Sequence, residues 1–210
     1  MDKLNLSKEL VFKLKKHKDL RYGENPHQQS AFFTTDGNSG YLQLAGIELS
    51  HNNLGDANHA WRLVCEFKEP TVAIIKHGNP SGIATRTNVA DAYKLAYEAD
   101  KISAFGGIIA VNVPPTPEMV AAMEGVFFEL IVAPSFDKKV VEKLVEKRKK
   151  LRIIAASKPP KQLEFTRVFG GYLIQTPDDI LEEPKKWKVV CGEKPSQKQI
   201  ADMVFAWKVV

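Results

Sequence analysis

The sequence predicts an α/β fold, a mainly parallel sheet with helices on both faces. Two observations carry this. Short apolar runs, several of them β-branched, recur at residues 71–75, 106–113, 130–133 and 151–156, and such runs read as strands in a sheet whose faces are covered. Between them lie segments with apolar residues at helical spacing, and strands alternating with helices at this interval mean βαβ units. A third observation bounds the class: 44% of the 210 residues are hydrophobic and 26% charged, an ordinary composition for a globular chain.

Taken in order, residues 1–18 form an amphipathic leader with Leu4, Leu6, Leu10, Val11, Phe12 and Leu14 among lysines. It fits a strand or a packed helix equally well. Residues 19–28 are polar, with Gly and Pro inside, and read as a loop. Ser30–Thr34 reads as a strand and residues 36–40 as a hairpin-like turn. His51–Asp56 leads into a helix whose Ala57, Ala60, Trp61 and Val64 share one face. A second helix follows Asn88, with Val89, Ala92, Tyr93 and Ala96 inward and Asp91 in its first turn. Thr116-Pro117 starts another, which Gly125 stops. Residues 137–150 form a helix with Val140, Val141, Leu144 and Val145 inward. After Gln175 the chain turns rich in Pro, Asp, Glu and Lys, as in a connection between lobes. Ser196 and Gln199 then make a capping box. They open a helix whose apolar face, Ile200, Met203, Val204 and Trp207, is expected to need a partner surface.

Net charge is +5, which suits anionic partners such as phosphorylated metabolites. The densest basic run, Lys147–Lys150, closes a predicted helix, where cations favour the negative end of the dipole. No aromatic residues are interleaved with it, so a nucleic-acid partner is not expected. No apolar run approaches the ~20 residues of a membrane span, and no signal-peptide pattern opens the chain. Cys65 and Cys191 are too far apart for a CxxC site or a disulfide framework, and a cytoplasmic setting is expected.

The chemistry-bearing stretch is Lys76-His77-Gly78-Asn79-Pro80-Ser81-Gly82. A buried strand, Thr71–Ile75, runs straight into a lysine and a histidine, both poor candidates for burial without partners. The Gly/Asn/Pro/Ser cluster that follows reads as a turn or loop. In open parallel sheets ligands sit outside the carboxyl ends of the strands, where this pair would stand. Within the early polar loop, Arg21 offers a planar five-donor fork suited to phosphate or carboxylate. His17, His51 and His59 read as surface or loop residues, while His27 belongs to the polar loop motif.

Three long motifs occur in order: Asp19-Leu20-Arg21-Tyr22-Gly23-Glu24-Asn25-Pro26-His27-Gln28, Lys76–Gly82, and Ser103-Ala104-Phe105-Gly106-Gly107-Ile108-Ile109-Ala110. Ala133-Pro134 follows them. Together they resemble the formyltransferase part of the bifunctional purine biosynthesis family, which pairs AICAR transformylase (phosphoribosylaminoimidazolecarboxamide formyltransferase) with IMP cyclohydrolase. The resemblance runs from about Leu4 to Val210.

It implies a cytidine-deaminase-like lobe and transfer of a formyl group from 10-formyltetrahydrofolate, as co-substrate, to the 5-amino group of AICAR. By resemblance His77 is the general base and Lys76 the group that stabilises the developing oxyanion. Arg21 and Tyr22 hold the nucleotide, Phe105 and Gly106 surround the imidazole ring, and Glu129 contacts AICAR. The family uses no catalytic metal, and no His-Cys-Cys ligand set can be assembled here by spacing. The implied partners are AICAR, a formyl folate, and a second copy or a companion chain. Residues 1–176 are expected to form the first transformylase lobe, and 177–210 the connection and the start of the second. The chain opens almost directly on the formyltransferase leader and stops where the family continues. It therefore reads as a fragment or as one subunit of a split enzyme. The alternative is a non-catalytic module that keeps the AICAR pocket.

Overall fold

In a computed structural model, residues 8–178 and 183–210 are described. Leu4 and Leu6 of the leader lie outside them. Contacts divide the chain into two compact units, Val11–Pro159 and Pro160–Val210, the latter with residues 8–10.

Only the end of the leader is a strand, β1 (Lys15–Leu20), which pairs antiparallel with β2 (Ser30–Thr34), while Leu10, Val11, Phe12 and Leu14 lie before it and are exposed. The turn at 36–40 does not fold the next strand back on β2. The carbonyl of Gly40, a residue at φ 71°, accepts the Ser157 N–H at 2.8 Å. That bond directs β3 (Tyr41–Ala45) onto the edge of the main sheet.

The main sheet has six strands, in the order β3-β8-β7-β6-β4-β5. Here β4 is Thr71–Lys76, β5 Asn79–Thr85, β6 Ile108–Val111, β7 Leu130–Ala133 and β8 Arg152–Ala156. Its strands alternate strictly between two cores. Val72, Ile74, Ile109, Ile131 and Ile153 pack under α2 (Val89–Ala99), α4 (Pro117–Ala122) and α5 (Lys138–Lys147). Ala73, Ile75, Ile108, Leu130, Val132 and Ile154 pack under α1 (His51–Cys65), through Ala57, Ala60, Trp61 and Val64. This is the period-2 pleat with both faces covered. The helices start where the sequence places their caps: Asn88 caps α2, Thr116 with Pro117 caps α4, and Asp137 caps α5.

The parallel run is β6-β7-β8, whereas β3, β4 and β5 join antiparallel. For β4 and β5 the reason lies in the Lys-His stretch. Lys76 pairs with Asn79, so the whole turn is His77-Gly78, with φ 53° and 80°. Two successive left-handed residues make the tight hairpin loop that matches strand twist. Asn79-Pro80-Ser81-Gly82, expected as loop, is therefore the start of β5. An edge strand tolerates Pro80 because its missing N–H costs no ladder bond on the open side.

Gly82 has a packing role rather than a turning one. A Cβ there would run into the Ala96 carbonyl of α2. Gly82→Ala is expected to destabilise the fold by about 1–3 kcal/mol, since backbone must shift to relieve an overpacked contact. Urea denaturation checks this. A midpoint unchanged from the parent would show that α2 moves away without cost.

In the second unit, β9 (Glu164–Val168) and β10 (Gly171–Gln175) form an antiparallel hairpin. A short 3₁₀ turn at Pro184–Lys186 precedes α6 (Gln197–Val209), which carries the Ser196/Gln199 capping box. No residue of α6 is buried. Met203, Ala206 and Trp207 line an apolar hollow with Trp187 and Val210. No helix among the described residues is long and apolar enough to cross a membrane.

Candidate functional site

Because β4 runs antiparallel to β6, its carboxyl end meets the amino ends of the parallel strands: Ile75 pairs with Ile108, Ile108 with Leu130, and Leu130 with Arg152. Lys76 and His77 stand at a carboxyl end as expected, but at the amino ends of β6, β7 and β8. The other predicted site residues collect along the same rim.

Lys76 is half-buried, and its ammonium donates to the Phe105 carbonyl at 2.8 Å. Phe105 follows the short helix α3 (Lys101–Ala104) and is 59% exposed. Its ring lies 5.4 Å from that of Phe127, inclined at 50°. Gly106, at φ 75°, donates its N–H to the Phe127 carbonyl at 2.9 Å. Gly107 fits between the Ile75 and Ala104 carbonyls, which a Cβ would meet at 3.0 and 3.1 Å. A side chain at Gly106 would strain its left-handed backbone, and one at Gly107 would press on the two carbonyls that flank it. The Asp100 carboxyl, which caps α3, is held below its usual range, chiefly by its hydrogen bonds with Ser103 and in part by the Lys76 charge.

Glu129, just before β7, donates its N–H to the Gly107 carbonyl at 3.1 Å and so continues the rim. Its Oε2 accepts from Asn53 Nδ2 at 2.8 Å and lies 3.5 Å from Arg152 Nη1. Burial pulls the Arg152 pKa down and the Glu129 charge pushes it back up.

Arg21 and Tyr22 bracket the start of α1. The Arg21 N–H donates to the Leu49 carbonyl at 2.9 Å, and the His51 N–H donates to the Tyr22 carbonyl at 3.0 Å. The exposed Arg21 guanidinium lies over the Tyr22 ring, 4.8 Å from its centroid, and donates to its hydroxyl at 3.1 Å. That stacking preorganises a flexible cation at little entropic cost.

Helix α1 ties the ends of this rim together. Asn53 sits at its third position, inside a capping box with Ser50, and holds Glu129. One turn on, Asp56 accepts the Gly78 N–H at 2.8 Å and so fixes the His77-Gly78 turn. Residues three apart lie on one helix face. A single helix edge thus positions two motifs that are far apart in the sequence. His59 lies against the same turn, since a Cβ at Gly78 would meet its Nδ1 at 3.7 Å. His51, read as a surface residue, bonds to Ser30 Oγ at 3.3 Å, and His17 packs edge-on against Phe32.

Sequence reading passes over Asn53, Asp56 and Arg152. Arg152 leaves a signal, one arginine at the head of an otherwise apolar strand. Asn53 leaves none, because a polar residue in a first helical turn is usually a cap, and Asp56 leaves none, because a carboxylate one turn further on is usually a solvated helix side chain. Among the described residues, no group of three or more His, Cys, Asp or Glu could hold a metal ion.

Fold and rim define an α/β lobe with polar and aromatic groups gathered at one end of its sheet. The model of the AICARFT/IMPCHase bienzyme family matches residues 1–210. The chain is 45% identical over 199 residues to the bifunctional purine biosynthesis protein PurH of Rippkaea orientalis, covering 90% of this chain and 38% of that protein. It is 41% identical over 206 residues to PurH of a Thermoanaerobacter species, covering 96% of this chain and 40% of that protein. PurH of Acetivibrio thermocellus is also 41% identical, over 96% of this chain and 41% of its own. The chain belongs to the AICARFT/IMPCHase family, an enzyme family of purine biosynthesis. It spans about two fifths of the length of these relatives.

Proposed function

We propose that this chain supplies the AICAR-binding half of a formyltransferase that moves a formyl group from 10-formyltetrahydrofolate to the 5-amino group of AICAR. The supporting observation is the α1 edge, where Asn53 holds Glu129 and Asp56 holds the turn carrying His77. The amine nitrogen attacks the formyl carbon, and negative charge grows on the formyl oxygen. Lys76 stabilises that oxyanion, since a fixed ammonium acts most strongly on charge that appears in the transition state. His77 takes the amine proton, the part that an imidazole nitrogen plays as a general base. The oxyanion collapses, the bond from the formyl carbon to N10 breaks, and N10 leaves with the proton that His77 took from the amine.

The rim carries Lys76, Arg21 and Arg152 alongside the carboxylates of Glu129, Asp56 and Asp100. Of the three cations, Arg21 is exposed and offers a bidentate fork to an anionic group. The exposed, stacked Arg21 is the phosphate donor in this reading, and Phe105 with Phe127 is the surface for the heteroaromatic ring. In this reading the folate half of the site is supplied by residues outside this rim.

Arg21→Ala is expected to weaken AICAR binding by roughly 10- to 100-fold, the loss of one charge-assisted contact. Titration calorimetry on parent and variant decides it. Equal affinities would remove Arg21 from the site.

A further inference from the structure

Arg152 is the one charged side chain buried among the described residues, only 4% exposed. A buried guanidinium is costly unless its donors are placed. Its Nε donates to the Glu48 carbonyl at 3.0 Å and its Nη1 to the Glu129 carbonyl at 3.4 Å. Two carbonyls would suffice for a structural clip between the approach to α1 and the approach to β7. Nη1 is also 3.5 Å from Oε2 of the Glu129 carboxylate, the oxygen that Asn53 already holds at 2.8 Å. One carboxylate oxygen is therefore committed to the scaffold from two sides. The other, Oε1, receives no hydrogen bond among the described residues, on a side chain 42% exposed.

We infer that Arg152 is a positioning residue for nucleotide recognition, which, together with Asn53, locks Glu129 so that Oε1 accepts an O–H or N–H donor of the bound nucleotide. The inference rests on the reading above, that AICAR binds at this rim. Too buried to touch the ligand, Arg152 acts through Glu129. Lysine cannot replace it, because a single ammonium on a flexible stem cannot span the Glu48 carbonyl and the Glu129 carboxylate together.

A double-mutant cycle in the 210-residue chain tests this, with AICAR affinity read by calorimetry and melting temperature read alongside. Glu129→Gln is expected to weaken binding at least 10-fold. Arg152→Lys is expected to weaken it about 10-fold in the parent but less than about 2-fold in the Glu129→Gln background, because residues acting as a unit are non-additive. Arg152→Lys keeps the charge and the stem, and Arg152→Met repeats the cycle without the charge. If Met prevents folding, the lysine cycle alone decides. A merely structural arginine would lower the melting temperature and leave affinity untouched, or lower affinity equally in both backgrounds, and either result overturns the inference while the nucleotide reading stands. A parent chain that takes up no AICAR, or a Glu129→Gln variant that binds like the parent, would sink the underlying reading and the inference with it.

Discussion

Replacing His77 with asparagine is expected to lower formyl transfer by roughly two to four orders of magnitude, the span for losing a general base, while leaving the fold at least as stable. The two effects separate because of the turn. His77 and Gly78 occupy the two central positions of a two-residue hairpin loop, both at positive φ. Asparagine followed by glycine is the pair that such a loop prefers, and histidine there carries a conformational cost that asparagine would relieve. A residue kept at a strained position for stability would lose stability when changed; one kept for chemistry would not. Turnover can be measured in a chimera in which this chain replaces the matching 206-residue stretch of the Thermoanaerobacter protein. A rate within a factor of about three of the parent chimera, under ~0.7 kcal/mol, would end the catalytic claim for His77.

Lys76→Ala in the same chimera is expected to cost about 10²- to 10³-fold in turnover, the usual loss when one preorganised donor to an oxyanion is removed. Its ammonium also holds the Phe105 carbonyl, so a stability loss of about 1 kcal/mol should accompany it. Lys76→Arg should not restore the rate, because the wider guanidinium places its charge elsewhere. The double variant with His77→Asn should lose less than the product of the single effects, since both serve one transition state. Multiplicative losses would mean that the two residues act in separate steps.

Much of the fold is legible in the sequence because its signals are local. The apolar runs become strands, and Asn88, Thr116, Asp137 and Ser196 each cap the helix that the sequence has them start. The direction of β4 is not legible. Nothing in Asn79-Pro80-Ser81-Gly82 betrays a strand, because its glycine and proline answer to the close approach of α2 and to an open sheet edge. That one hairpin reverses β4 and puts the rim at the amino ends of β6, β7 and β8. The site is legible only in part, for a similar reason. Lys76, Phe105, Gly106, Arg21 and Tyr22 stand out in dense motifs. Asn53, Asp56 and Arg152 act across long stretches of sequence, and only the fold brings them to their partners.

The most direct test of the central claim is a crystal structure of the chain with AICAR bound. The account predicts the nucleotide along the rim formed by the end of β4 and the starts of β6, β7 and β8. Its phosphate should lie beside Arg21 and its ring beside Phe105. Density for AICAR at the opposite end of the sheet, beyond Val111 and Ala133, or in the unit that carries α6, would contradict it.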